Sequence, residues 1–313
     1  MLCAVLAGQA PAAPARANVL VVVGADGAAE YGKQFREWSE RWGEAAKRGG
    51  ADFETIGLGD PAATTDHDVL QRRLSEFAGP GSEPLWLVFI GHGTFDGKLA
   101  RFNLRGPDVA LPELSAWLKA VERPLAIINC ASCSGPFLNE LSGPNRIVVT
   151  ATKSGHEYNF SRFGDYLSAA IGEPQADLDK DDQTSLLEAY LRACARVHEF
   201  YDGDGRLMTE HALLDDNGDR LGTPSDWFQG VRAVKSAKAG ASIDGQRANQ
   251  WHLVRSPVEE TLSPELKLRR DDLELRLAEL RLVKGKVSEE EYLKQVEPLL
   301  VELAKLYESA GKP

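Results

Sequence analysis

The chain carries the segment LWLVFIGHG at residues 85–93, six apolar residues followed by a histidine between two glycines. A second segment of this kind, LAIINCASCSG, occupies residues 125–135 and ends in cysteines and serines. Apolar runs of this length are typical of strands buried on both faces of a parallel sheet. Ligands of open α/β sheets bind beyond the carboxyl ends of such strands. The sequence therefore predicts an imidazole beside a hydroxyl or thiol, an arrangement used in nucleophilic catalysis.

The flanking sequence alternates strand and helix patterns. Strands are predicted at 19–23, 53–56, 85–90, 125–129 and 146–150, and helices at about 30–47, 66–77, 111–121 and 136–141. This alternation is typical of a mainly parallel sheet with right-handed crossovers and helices on both faces. We therefore expect an α/β fold, a three-layer sandwich.

The chain is expected to have three parts. Residues 1–17 form a signal-peptide-like or disordered segment, residues 18–256 form the α/β domain, and residues 257–313 form an α-helical hairpin. Within this part, the first long helix begins after Ser263, which is followed by proline at the first helical position. Its apolar residues either pack against the domain or bind a partner through the helices, and packing within the chain is the commoner outcome.

Composition narrows the classes of function. The 313 residues include 43% hydrophobic ones and carry a net charge of −11. This acidic balance argues against nucleic-acid binding, which needs a basic surface. The four cysteines are too few for a disulfide framework, and Cys130 and Cys133 have no second ligand pair to complete a zinc site. No apolar run is long enough for a membrane span.

The N-terminal residues bear on localisation. Residues 1–16 are apolar and then rich in alanine and proline, with small residues that suit a signal-peptide cleavage site. The basic start of a signal peptide is missing. The sequence predicts export to the periplasm or the extracellular space, and the alternative is a disordered tail on a cytoplasmic protein.

The two strand ends resemble motifs of the caspase, legumain and metacaspase group of cysteine peptidases. The segment FIGHG at 89–93 is similar to the catalytic-histidine segment of that group, and ASCSGPF at 131–137 is similar to the nucleophile segment of bacterial legumain-like members. Segments at 148–153 and 163–165 match the following strand and helix, and the similarity covers about residues 18 to 230. The resemblance implies a caspase-like peptidase domain, a peptide or protein substrate, no required cofactor and a catalytic role for His92.

The family's nucleophilic cysteine falls on Ser132, which lies between Cys130 and Cys133. Three interpretations follow. Ser132 acts with His92 as a serine-type dyad, or a local register shift places Cys133 or Cys130 at the attacking position, or the fold persists without hydrolysis as a peptide-binding or interaction module. In the catalytic cases, backbone amides at Gly93 and at the turn of residues 132–133 are expected to form the oxyanion hole.

An acidic segment at residues 177–188 follows the EF-hand calcium loop. Oxygen ligands occur at loop positions one, three, five, seven and twelve. These are Asp177, Asp179, Asp181, Gln183 and Glu188. The glycine of the pattern is replaced by Asp182, which weakens the expected affinity. The sequence predicts a calcium site here, with a solvated acidic loop as the alternative. The downstream segment TEHALLD at 209–215 resembles a segment of bacterial members of the same peptidase group, which makes His211 a candidate for the rim of the catalytic site, with a structural role as the alternative.

Overall fold

A computed structural model describes residues 16–60, 63–238 and 242–309. The predicted signal-peptide-like segment therefore lies outside the described residues, except for its last two positions. The strands are β1 Asn18–Val23, β2 Asp52–Ile56, β3 Leu85–Ile90, β4 Gly93–Phe95, β5 Ala100–Phe102, β6 Val109–Ala110, β7 Leu125–Asn129, β8 Arg146–Thr150, β9 Leu213–Asp215, β10 Thr223–Pro224, β11 Phe228–Gln229 and β12 Arg232–Ala233. The helices are α1 Ala29–Arg48, α2 Asp66–Glu76, α3 Leu111–Leu118, α4 Gly135–Leu141, α5 Phe163–Ala170, α6 Leu186–Gly203, α7 Gln246–Asn249, α8 Pro257–Thr261, α9 Pro264–Val283 and α10 Glu289–Ser309.

The central sheet has seven strands in the order β10-β9-β8-β7-β3-β1-β2. Strands β1, β2, β3, β7 and β8 are parallel, and β9 and β10 add antiparallel strands at one edge. Leu85 pairs with Leu125 in the register of β3 and β7. Because the two strands are in register and parallel, the segments after Ile90 and Asn129 emerge side by side at one edge of the sheet.

Helices cover both faces of this sheet. Alternate residues of β1 point to opposite faces, so Val21 packs with α1, α5 and α6 while Leu20 packs with α2, α3 and α4. All residues of β3 and β7 are buried, and burying each large apolar side chain contributes about 1.5–3 kcal/mol. The predicted three-layer α/β sandwich with a mainly parallel sheet is confirmed.

A small antiparallel sheet follows β3 directly. Strands β4, β5 and β6 form it, between His92 and α3. We did not predict this sheet, because strands of two or three residues are too short to show an alternating pattern. It matters for the site, since it fixes the backbone on the far side of His92.

The C-terminal helices α9 and α10 pack against each other as the predicted hairpin. Leu273 and Leu277 of α9 contact Leu299 and Leu306 of α10 in a separate apolar cluster. The guanidinium of Arg270 pairs with the carboxylate of Glu259 where α9 meets α8.

The hairpin also leaves apolar side chains exposed. Leu268, at 72% exposure, and Leu293, at 54%, are both accessible to solvent. A partner at these helices stays a prediction. Among the helices of the described residues, none is both long enough and apolar enough to cross a membrane.

Two buried carboxylates hold the loop after β9 against the N-terminus of α7. The Asp244 carboxylate accepts hydrogen bonds from the backbone N–H groups of Asp216 and Asn217 and from the Thr223 hydroxyl. The Asp216 carboxylate accepts one from the Gly245 N–H at 2.9 Å. Burial and the negative charge of Asp216 raise the pKa of Asp244 to about 8.

We expect the free energy of unfolding to decrease as the pH rises from ~4 to about 8. The folded state keeps the Asp244 proton up to a pH of about 8, whereas an unfolded aspartate loses it near pH ~4. The folded state therefore binds more protons in this interval, and its stability is lost as the pH rises. Urea unfolding at several pH values should show this slope, and Asp244→Asn should make it shallower. The exposed Asp204→Asn is the control, and equal slopes for wild type and Asp244→Asn would contradict the assignment.

Candidate active site

His92 lies between β3 and β4, at the carboxyl edge of the sheet. Its Nε2 atom is 3.2 Å from the carbonyl oxygen of Asp26, which follows β1. A carbonyl oxygen can only accept a hydrogen bond, so Nε2 carries the proton and Nδ1 of the neutral ring carries the lone pair. The contact with Asp26 therefore selects the tautomer in which Nδ1 can act as a base.

Aromatic side chains hold the imidazole ring. Tyr31 and Phe35 of α1 contact it edge to face, with ring centroids 5.1 and 5.2 Å from that of His92. Phe160, from the segment after β8, contacts it at 6.0 Å. Such packing restricts rotation of the ring and so holds the orientation of the His92 imidazole.

Ser132 lies directly beside Gly93. Its Oγ atom is 3.5 Å from the Gly93 nitrogen and 3.4 Å from the Gly93 carbonyl oxygen, at the long end of hydrogen-bond distances. A Cβ atom at position 93 would lie 2.3 Å from the Ser132 carbonyl oxygen, so only glycine fits there. The structure thus brings together the histidine segment and the nucleophile segment. Among the described residues, the His92 imidazole makes no hydrogen bond to Ser132 or to a cysteine.

Cys133 occupies a constrained position in the same turn. Its φ of 56° lies in the left-handed region, which a cysteine adopts rarely. Its N–H donates to the Glu157 carbonyl oxygen at 3.0 Å, and its thiol lies 3.8 Å from the same oxygen. Burial and the negative charge of Glu157 raise the pKa of the Cys133 thiol to about 11. Little of the thiol is therefore ionised at neutral pH.

Cys130 lies in the core beneath the α1 and α5 layer. It is 1% exposed. A Cβ atom added at Gly164 would lie 2.8 Å from the Cβ of Cys130. Burial raises the pKa of the Cys130 thiol. Residues 132 and 133 form a turn rather than a continued strand, so Cys130 and Ser132 do not share one extended face. These placements favour Ser132 over both cysteines as the attacking residue, and the assignment stays a prediction.

Cys133 is expected to react slowly with iodoacetamide in the folded protein. A thiol with a pKa of about 11 is ionised roughly 300-fold less at neutral pH than a free cysteine with a pKa near 8.5. Alkylation at pH ~7.5, located by peptide mass mapping, should be at least ~100-fold slower in the native protein than in denaturant. Native alkylation as fast as that of a free cysteine would show an activated thiolate and would support Cys133 as the nucleophile.

Two acidic residues that hold the segment between β8 and α5 were not predicted. Glu157 holds His211, with 2.6 Å between Oε1 and Nδ1. Glu210 is 2% exposed and accepts hydrogen bonds from the Ser161 hydroxyl and the backbone N–H groups of Arg162 and Phe163. His211 was predicted, but neither acidic residue was, because their contacts cross about fifty residues of sequence. Backbone contacts such as that of Asp26 leave no pattern in a sequence.

The predicted calcium loop brings three of its five residues together. One carboxylate oxygen from each of Asp177, Asp179 and Glu188 lies within 4.8 Å of the others. Both oxygens of Glu188 already accept backbone N–H groups, from Leu178 at 2.7 Å and from Ser185 at 2.8 Å. Burial, followed by the charges of Glu188 and Asp181, raises the pKa of Asp179 to about 6.

The other two predicted ligands contact each other. The Gln183 side-chain amide donates to the Asp181 carboxylate at 3.0 Å, and its oxygen accepts the Ser256 N–H at 3.2 Å. The carboxylates of Glu188 and Asp181 thus already accept hydrogen bonds through oxygens that a cation would need, whereas position seven of the loop supplies its backbone carbonyl. Calcium binding by this loop stays a prediction.

The chain was compared with known proteins. No protein-family model matches it, and no curated protein does. Among solved structures it is similar to the Drosophila initiator caspase Dronc, with a TM-score of 0.43 and 13% sequence identity over 64% of this chain and 79% of that chain. A similarity at this TM-score and identity carries no conclusion about the fold or the activity of this chain.

Proposed function

We propose that this protein is a caspase-like peptidase homologue that cleaves peptide bonds through Ser132, with His92 as the general base. The contact between the Ser132 hydroxyl and Gly93 carries this proposal, because it places the hydroxyl against the residue that follows an oriented imidazole. Burial and the charge of Glu157 raise the pKa of the Cys133 thiol to about 11, so the thiolate is not formed by its surroundings alone, as a cysteine nucleophile would need.

The proposed reaction proceeds in two halves. Ser132 Oγ attacks the carbonyl carbon of the substrate while His92 Nδ1 takes the hydroxyl proton. The C–N bond then breaks, and the imidazolium gives that proton to the leaving amine. A water molecule, deprotonated by the same nitrogen, hydrolyses the acyl ester and restores the hydroxyl. The Asp26 carbonyl keeps Nε2 protonated throughout and so preserves the tautomer.

Gly93 is the proposed oxyanion donor. Its N–H points at Ser132 Oγ over a long contact of 3.5 Å, and a substrate oxygen beside Oγ takes the place of the hydroxyl as its acceptor. The Cys133 N–H, which was the other expected donor, is already bound to the Glu157 carbonyl oxygen. We therefore assign the oxyanion contact to Gly93.

Paired electrophilic probes test the proposal. A peptidyl diphenyl phosphonate reacts with an activated serine hydroxyl, and a peptidyl acyloxymethyl ketone of the same sequence reacts with an activated thiol. We expect the phosphonate adduct on Ser132, located by mass spectrometry, with its formation lost in Ser132→Ala and retained in Cys133→Ala. Adducts only from the ketone, on Cys133, would assign the reaction to the thiol.

The alternative function is a peptide-binding module without hydrolysis. The specific observation in its favour is that the Ser132 hydroxyl contacts the Gly93 backbone and not the His92 ring. This alternative predicts that peptides bind, by fluorescence anisotropy, while neither probe forms an adduct.

A further inference from the structure

Glu157 joins three separate segments of the chain at the candidate site. It lies in the segment after β8, and its carbonyl oxygen accepts the Cys133 N–H at 3.0 Å. Its carboxylate accepts the backbone N–H of Lys153 at 3.0 Å and that of His211 at 3.1 Å. The turn of residues 132–133, the segment after β8 and the segment before β9 are thus tied together through one residue.

The imidazole of His211 completes this arrangement. Its Nδ1 atom lies 2.6 Å from Glu157 Oε1, and the Glu157 side chain is only 12% exposed. A charge-assisted hydrogen bond of this length in a partly buried position is stronger than an exposed ion pair. The ammonium of Lys153 is 3.9 Å from the same oxygen and 53% exposed, so it contributes less.

The turn that Glu157 holds needs external support. Cys133 has a left-handed φ of 56°, and a conformation of this kind persists only where the surrounding structure maintains it. The side chain of Ser132, one residue earlier, takes its direction from the same turn. The Cys133 N–H fixes the turn, and its acceptor is Glu157.

We propose that Glu157 is a positioning residue for Ser132, and that its carboxylate, clamped by His211, keeps its carbonyl oxygen on the Cys133 N–H. The effect on acylation rests on the proposed function, whereas the effect on the turn does not. Removal of the carboxylate frees the segment after β8, and the turn of residues 132–133 then loses its left-handed conformation part of the time.

The variants are Glu157→Ala and Glu157→Gln, with His198→Gln as the matched control. His198 forms a histidine–carboxylate pair with Asp202 at 3.2 Å, and both side chains are 67% exposed. Glutamine keeps an acceptor for the two backbone N–H groups but loses the charge that holds the His211 ring. Glu157→Gln therefore serves as a partial rescue and as the fallback if Glu157→Ala fails to fold.

Three measurements are made on each variant. Iodoacetamide labelling of Cys133 should rise at least ~10-fold in Glu157→Ala. The segment that carries residue 157 then moves away from the thiol, which becomes accessible to the reagent. The rate constant for phosphonate attachment to Ser132 should fall ~10–100-fold while the probe's binding constant changes less than ~3-fold, since a misplaced nucleophile costs rate and not affinity. The downfield proton signal of the hydrogen-bonded His211 Nδ1–H should disappear. Glu157→Gln should give intermediate values.

The outcomes separate this proposal from the proposed function. If wild type forms no phosphonate adduct, the proposed function fails, and the Cys133 labelling and the proton signal still decide the role of Glu157. If both Glu157 variants label Cys133 and Ser132 at the wild-type rates, the positioning role is overturned while the proposed function stands. Equal effects from His198→Gln would also overturn it.

Discussion

Replacement of His92 by glutamine is expected to lower the rate of phosphonate attachment to Ser132 by about 10²–10⁴-fold, the usual contribution of a general base. Glutamine fills part of the space between Tyr31, Phe35 and Phe160, but its amide cannot accept the serine proton. The unfolding free energy should change by less than ~2 kcal/mol, since the ring is partly exposed and the hydrogen bond that it makes within the described residues goes to a backbone carbonyl.

The control for this prediction is His67→Gln. His67 packs edge to face on Trp117 with 5.1 Å between ring centroids, in the α2 and α3 layer, and its Nε2 lies 3.6 Å from a Glu113 carboxylate oxygen. It should leave the attachment rate unchanged. A His92→Gln protein that reacts at the wild-type rate would remove the base from the proposed mechanism.

Glu210→Ala should cost about 3–5 kcal/mol of unfolding free energy, as expected when buried donors lose a charged partner. The Glu210 carboxylate is 2% exposed and receives the Ser161 hydroxyl at 2.6 Å and the Phe163 N–H at 3.1 Å. These donors surround the start of α5, where backbone N–H groups have no partner within the helix. Alanine removes the carboxylate that these buried donors share.

Urea unfolding measures this loss. The matched control is Glu199→Ala on the exposed face of α6, which should change the unfolding free energy by no more than ~0.5 kcal/mol. A loss below ~1 kcal/mol for Glu210→Ala would show that another group satisfies the donors around α5.

The buried strands could be predicted closely because their chemistry is local. The run LAIIN at 125–129 is apolar until its last residue and stops at small residues, and β7 spans the same five positions. The α1 helix was predicted at about 30–47 and extends over Ala29–Arg48, because Phe35, Trp38 and Trp42 recur on one face. Patterns that a single segment carries were therefore sufficient for the core sheet.

The site itself was predictable only in part. His92, Gly93 and Ser132 were chosen because they follow strand ends, and the structure brings these segments into contact. Neither the Asp26 carbonyl nor the Glu157 carbonyl could be found, because any residue can supply a backbone oxygen. The deep burial of Cys130 depends on Gly164, which lies 34 positions away in the chain.

Hydrolysis of a peptide library by wild type and by Ser132→Ala tests the central claim most directly. Cleavage products are identified by mass spectrometry, and Cys133→Ala is run beside both. The account predicts cleavage by wild type and Cys133→Ala, and a loss of at least ~10³-fold in Ser132→Ala. Undiminished cleavage by Ser132→Ala, or the absence of cleavage by folded wild type, would contradict it.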